Sequence, residues 1–249
     1  MSGLLRINRL KIRYGDVVAL DDVTVEVPFG ASVAVIGPNG SGKSTLLKAM
    51  AGIVRPTSGT VDLSGCSSAL VLQSTDVDRS VPLTVRDTVT MARFPRIGLL
   101  GRLRTIDRNA IDRAVQALGL EELLDRQIHE LSGGQRQRVF VAQGLAQDAD
   151  LLLLDEPLTG LDVVSRSMIA DVLDRASSAG RTTVITTHSF AEAEKCDLVM
   201  LLATQCIAFG PPATVFTESN LRRAFGGRFV KVGDTLVLDD PHHEHDHVH

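Results

Sequence analysis

The apolar run Val33-Ala-Val-Ile36, followed by Gly37-Pro38-Asn39-Gly40-Ser41-Gly42-Lys43-Ser44-Thr45, constrains the fold more than any other segment of the chain. Four apolar residues bounded by a turn signal read as a buried strand, and Gly37, Gly40 and Gly42 mark a loop after it. Helical apolar spacing resumes from Lys43, so the segment must be strand, tight loop, helix. Glycines at these positions let backbone N–H groups close around a phosphate chain at the helix N-terminus. Lys43 then supplies positive charge to β/γ-phosphates and Ser44 offers a hydroxyl to Mg²⁺. A Gly-rich turn capped by Ser is the plainer reading, and the flanking strand and helix argue against it.

The chain has 249 residues, enough for one full domain or two joined lobes. With eight Phe, one Tyr and no Trp, its core must be aliphatic, as in parallel strands covered by helices. A net charge of -4 gives no global attraction to nucleic acid or anionic lipid. Cys66, Cys196 and Cys206 lack CxxC spacing, which points away from a disulfide framework and toward a reducing compartment. The longest apolar runs, Leu151–Leu154 and Leu198–Ala203, fall far short of the roughly 18 residues a membrane span needs. Met1–Leu10 does not read as a signal peptide, so a cytosolic chain is expected.

β-type runs at Leu4–Ile12, Val17–Val27, Ser32–Ile36 and Ala69–Leu72 predict a sheet-rich N-terminal third. Thr84–Arg93, Asp107–Leu118 and the stretch after Ser132 carry helical spacing. Beyond them, strand Leu151–Leu154, helix Val163–Ala179, strand Thr182–Thr187, helix Phe190–Lys195 and strand Asp197–Leu202 repeat a β-α-β rhythm. That rhythm predicts a parallel sheet, giving an α/β fold with an inserted helical lobe.

Leu151–Leu154 ends in Asp155-Glu156-Pro157, placing two acids at a strand's carboxyl edge, where open α/β sheets bind ligands. Asp155 is suited to complete a Mg²⁺ site, and Glu156 to polarise an attacking water. At Leu131-Ser132-Gly133-Gly134-Gln135, Ser132 reads as a helix N-cap and Ser132-x-x-Gln135 as a capping box that leaves helix amides open to an anion. Taken with the Gly37–Thr45 loop and Leu151–Glu156, this segment resembles the ATP-binding cassette (ABC) ATPases.

The resemblance covers about residues 4–226 and implies a P-loop NTPase (RecA-like) core with an N-terminal antiparallel β subdomain. It also implies a helical subdomain inserted at about 76–147, with 227–249 as a C-terminal extension. It implies that the Ser132–Gln135 helix start binds the γ-phosphate of ATP held by a second protomer, so that two chains close on two ATPs. Tyr14, the one tyrosine, lies where the family stacks an aromatic on adenine. Gln73 matches the glutamine that contacts Mg²⁺ and water. Leu161-Asp162 resembles the loop that communicates between the two sites, and His188 the switch histidine that contacts γ-phosphate. The chain departs from many members at Gln143-Gly144 and at Ser189, where Arg-Ala and Asp are common; the second bears on how His188 is held.

In this family a separate permease dimer forms the transport path, served by an extracytoplasmic binding protein, and the ATPase sits peripherally on the cytoplasmic face. Asp76–Val85, Phe94-Pro-Arg and Gly98–Arg104 look like the ATPases of bacterial zinc, manganese and iron importers, which suggests metal import, zinc first and manganese next. Within Asp239–His249 stand His242, His243, His245, His247 and His249 among four acids, a set suited to Zn²⁺. A solvated tail is the plainer reading. Another solute such as iron-siderophore is the nearest alternative cargo. A soluble ABC ATPase acting on nucleic acid is disfavoured by the absence of basic extensions.

Overall fold

The computed structural model describes residues 4–73, 82–98, 101–226, 229–232 and 235–238. Strands β1 (Leu4–Tyr14) and β2 (Val17–Pro28) form an antiparallel hairpin. Ile7 and Leu10 of β1 are both buried although they stand three positions apart, as are Leu20 and Val23 of β2. A period-two pleat cannot do this. Register shifts occur at both places, with Arg9 (φ 46°) and Asp22 (φ 53°) in the left-handed region, returning the apolar side chains to one face.

After β3 (Ser32–Ile36) and helix α1 (Lys43–Met50), strand β4 (Ser58–Asp62) joins the far side of β1. Its sequence, Ser-Gly-Thr-Val-Asp, has one apolar residue and no alternation, so sequence patterning does not reveal it. Gly59 is required there, because a Cβ would lie 2.2 Å from the Arg9 carbonyl oxygen in the β1 bulge.

Strand β5 (Ser68–Val71) is followed by helices α2 (Val85–Met91), α3 (Phe94–Ile97), α4 (Thr105–Ala117) and α5 (Gly133–Ala146), then by β6 (Leu151–Leu154). β5 and β6 pair directly, so all four helices form an insertion between neighbouring strands. The chain continues through α6 (Val163–Ser178), β7 (Thr182–Thr186), α7 (Phe190–Ala193), β8 (Leu198–Ala203) and β9 (Gln205–Gly210). The large sheet runs β5-β6-β7-β3-β8-β9, parallel throughout except for β9, which pairs antiparallel with β8. The parallel strands agree with the β-α-β expectation, and the antiparallel edge strand departs from it.

Both faces of this sheet are covered, and alternate residues divide between two cores. Val33, Val35, Leu151 and Leu153 pack with the hairpin and with Leu46, Leu47 and Met50 of α1. Ala34, Ile36, Leu152 and Leu154 face the inserted helices and α6. At about 25 cal/mol per Å² of apolar surface, this double burial is what makes an all-leucine strand stable. Gly144 has its reason here: a Cβ would lie 2.4 Å from Val71 Cγ2, so glycine lets α5 lie directly on β5. Nothing in the structure explains Gln143.

The inserted helices are tied together by Arg93, whose side chain is 1% exposed. Its Nε and Nη2 donate to Asp107 Oδ1 (2.9 and 2.7 Å) and its Nη1 to the Ala146 carbonyl at the end of α5 (2.8 Å). Asp107 Oδ2 in turn accepts from the Arg104 amide, capping α4.

The helix expected over Phe190–Lys195 is the shorter α7. Two further helices, α8 (Pro212–Val215) and α9 (Glu218–Phe225), carry the chain back across β8 and β9. Phe190 packs edge-on against Phe216, with ring centroids 5.1 Å apart. A hairpin of β10 (Phe229–Val232) and β11 (Thr235–Leu238) follows. The His242–His249 tail, most of Asp76–Val85 and part of Gly98–Arg104 lie outside the described residues.

Candidate nucleotide-binding site

Neighbouring parallel strands β5-β6-β7-β3 bring their carboxyl ends to one edge, and each leads into a residue singled out from the sequence. Gln73 follows β5, Asp155 and Glu156 follow β6, His188 follows β7, and the Gly37–Lys43 loop follows β3. Glu156 is the hub. Its Oε1 lies 2.7 Å from His188 Nε2, and its Oε2 accepts from Gln73 Nε2 at 3.3 Å. The Glu156 backbone adopts φ 47°, a left-handed conformation that costs a non-glycine residue on the order of 1 kcal/mol. A bond from its N–H to Thr186 Oγ1 at 2.8 Å holds it there.

The same Thr186 hydroxyl donates to Asp155 Oδ1 at 2.6 Å, so one buried side chain fixes both acids. In the sequence the one sign of it is a pair of threonines at the end of a strand immediately before His188. Thr186→Val keeps the shape but leaves the Glu156 amide and one Asp155 oxygen without this partner. A loss of about 1–3 kcal/mol in stability is expected, read from urea denaturation.

Lys43 is buried, and its Nζ donates to the carbonyls of Gly37 (2.8 Å) and Pro38 (3.1 Å). Burial lowers its pKa from the ordinary lysine value, and the negative charges of Glu156 and Asp155 oppose that shift. Helix α1 opens with Gly42 (φ 98°) at the N-cap, with no side-chain cap and no acid in its first turn. Its positive end is therefore available to an anion. A Cβ on Gly42 would lie 2.4 Å from the Ala19 carbonyl oxygen, and one on Gly37 would lie 1.9 Å from that of Leu202. The loop is thus pressed between the hairpin and β8, a fit only glycine allows. Ser41 Oγ is buried with no hydrogen-bond partner among the described residues. An uncapped helix start, a buried ammonium and an orphan hydroxyl in one loop suit a phosphate chain. Partly exposed Ser44 and buried Asp155 supply the oxygen donors Mg²⁺ prefers.

The Ser132 segment has the capping box read from the sequence: Ser132 N donates to Gln135 Oε1 (3.0 Å) and Gln135 N to Ser132 Oγ (3.2 Å). Ser132 and Gly133 are exposed or nearly so, whereas Gly134 is buried. A Cβ on Gly134 would lie 2.2 Å from Asp162 Oδ2, so the start of α5 abuts the start of α6. Asp162 Oδ1 accepts from the Ser165 amide at 2.9 Å, and that bond holds the Asp162 carboxyl below its usual pKa. No hydrogen bond among the described residues joins Ser132–Gln135 to the Lys43 loop. The structure therefore brings Lys43, Gln73, Asp155, Glu156 and His188 to one edge and pairs Gly134 with Asp162 separately. Tyr14, at the hairpin end of β1 opposite Val17, is 49% exposed, so it does not pack as an ordinary core residue.

Residues 20–159 match the ABC transporter family. The chain belongs to that family. It is an ABC ATPase, coupling ATP hydrolysis to transport. The manganese transport system ATP-binding protein MntB of Bacillus subtilis (strain 168) is 36% identical over 243 residues, covering 94% of this chain and 97% of that one. The zinc transport system ATP-binding protein TroB of Treponema pallidum (strain Nichols) is 39% identical over 232 residues, covering 90% and 87%. An inward-facing conformation of a metal-chelate type ABC transporter superposes with a TM-score of 0.80 at 27% identity, covering 95% of this ATPase and 96% of that chain. Among the described residues, no helix is long and apolar enough to cross a membrane, and no group of three or more His, Cys, Asp or Glu could hold a metal ion.

Proposed function

We propose that this ATPase energises the import of a divalent transition metal through a separate permease dimer, to which it binds at the cytoplasmic face of the membrane. The observation that carries the hydrolytic part is Glu156 held between Gln73 and His188 beside the Lys43 loop. In this reading MgATP, when bound, supplies the phosphoryl group to be transferred and part of the charge neutralisation. The chain's own residues do the rest. The amides of the Gly37–Thr45 loop and Lys43 hold the phosphates, while Ser44, Asp155 and Gln73 hold Mg²⁺. Glu156 orients a water and accepts its proton, and His188 fixes Glu156 and meets the γ-phosphate. Tyr14 stacks on adenine. Ser132, Gly133, Gly134 and Gln135 serve the partner protomer's nucleotide, with Asp162 between the two sites.

The metal assignment is supported by relatives named for manganese and for zinc at nearly equal identity. It does not favour zinc over manganese. The deciding experiment measures ATPase activity of the chain assembled with its permease in lipid, with Zn²⁺-loaded or Mn²⁺-loaded binding protein. At least severalfold stimulation by one loaded form is expected and names the cargo. Vigorous hydrolysis indifferent to both metals would reject metal import while leaving the ATPase intact.

A further inference from the structure

His188 stands between two residues that are tied to each other through a third. Thr187 Oγ1 donates to Glu192 Oε2 at 2.5 Å and accepts from the Ser189 amide at 3.0 Å. The Glu192 amide donates back to Ser189 Oγ at 3.3 Å. These bonds close a small ring around the backbone that carries His188, and Glu192 is the member that supplies the carboxylate. Its other oxygen, Oε1, accepts from Arg166 Nη2 at 2.8 Å; the Glu192 side chain is 16% exposed and that of Arg166 53%. Arg166 belongs to the first turn of α6, and its amide bonds the carbonyl of Asp162, the residue against Gly134.

We propose that Glu192 is a positioning residue for His188, and that Arg166 gives Glu192 its orientation from the α6 start. The proposal rests on the role of His188 in the proposed hydrolytic site. Thr187 and Ser189 flank His188, so no carboxylate adjoins the histidine in sequence, and Glu192, one helical turn later, takes up the Thr187 hydroxyl. Glu192 is mostly buried and doubly bonded, so its geometry is fixed. The distance from His188 Nε2 to Glu156 Oε1 depends on the backbone that this ring holds. Because Arg166 and Asp162 share one helix turn, a shift of the Asp162 segment is passed to the histidine through one ion pair.

The test uses the full chain with MgATP, measuring kcat, KM for ATP, nucleotide affinity and melting temperature. Glu192→Ala is expected to lower kcat by roughly 10- to 100-fold with KM and nucleotide affinity within about threefold of the parent. Glu192→Gln keeps an acceptor for Thr187 and should recover most of the rate. Arg166→Met, at a half-exposed position, should lower kcat by about three- to tenfold with little change in melting temperature. Wild-type kcat in Glu192→Ala, or equal losses in Glu192→Ala and Glu192→Gln accompanied by weakened nucleotide binding, would overturn the proposal. His188→Ala run in parallel separates the two readings. If it retains full activity, the role of His188 itself fails; if it is inactive while Glu192→Ala is not, only the positioning role fails.

Discussion

Glu156→Gln should lower ATP hydrolysis by about 10²- to 10⁴-fold while ATP still binds, the range expected for removing a general base from a preorganised site. The amide keeps the hydrogen bond to Thr186 through its backbone, and its side-chain oxygen still accepts from one neighbour, so the local geometry survives. What is lost is the carboxylate that, in the proposed mechanism, takes a proton from water. The measurement is kcat at saturating MgATP beside an equilibrium titration with a fluorescent nucleotide. If two chains close on two nucleotides, the same variant should accumulate as an ATP-bound dimer by size-exclusion chromatography with light scattering. A monomer in every permease-containing preparation would contradict the shared-site reading, and unchanged kcat would contradict the role of Glu156. Lys43 makes a useful contrast, since Lys43→Ala should weaken nucleotide binding itself.

Arg93→Met is expected to lower the melting temperature by roughly 10 °C or more, although it lies in the inserted helices. The substitution leaves a buried carboxylate at Asp107 and the Ala146 carbonyl without their guanidinium partner. Methionine fills the volume and cannot replace the charge. The companion change Asp107→Asn should restore part of the loss, because it removes the stranded charge; additive losses would show that the pair does not act as a unit. The pH dependence has a definite sign. The bond from the Arg104 amide, and then Arg93, hold the Asp107 carboxyl below its ordinary pKa. Its stabilising contribution is therefore complete above the ordinary aspartate value and is lost as pH falls through the lower folded value. Arg93→Met should make the acid side of the stability profile shallower.

Local chemistry made much of the site legible. A Gly-rich loop between an apolar strand and an apolar-periodic helix has few other solutions, a leucine strand ending in Asp155-Glu156 points its acids to one edge, and Ser132-x-x-Gln135 is a self-contained cap. Each is complete within a short stretch of sequence. The features that escaped lack such a local signature. Strand β4 carries one apolar residue and exists because β1 has an open side. Strand β9 lies against β8 after a turn whose Thr204 adopts φ 62°, a conformation that residue type seldom signals. Helix α9 buries only Leu221, Ala224 and Phe225 among polar and charged residues, with no motif beside them to mark it. Thr186, Glu192 and Arg93 read as ordinary strand and helix residues until their partners are known, and those partners come from other elements.

By itself the sequence determined the kinds of element present, the strand–loop–helix around Lys43, the acids after β6 and the family to which these motifs point. It did so because glycine conformations, apolar periods and caps are decided by neighbours along the chain. Only the tertiary structure decided that β5, β6, β7 and β3 stand side by side in that order, so that Gln73, Glu156, His188 and Lys43 meet at one edge. It also decided that Thr186 holds both acids and that Glu192 closes the ring around His188. Strand order is set by lateral pairing and by burial on both faces of the sheet, and those are interactions between segments far apart in the chain.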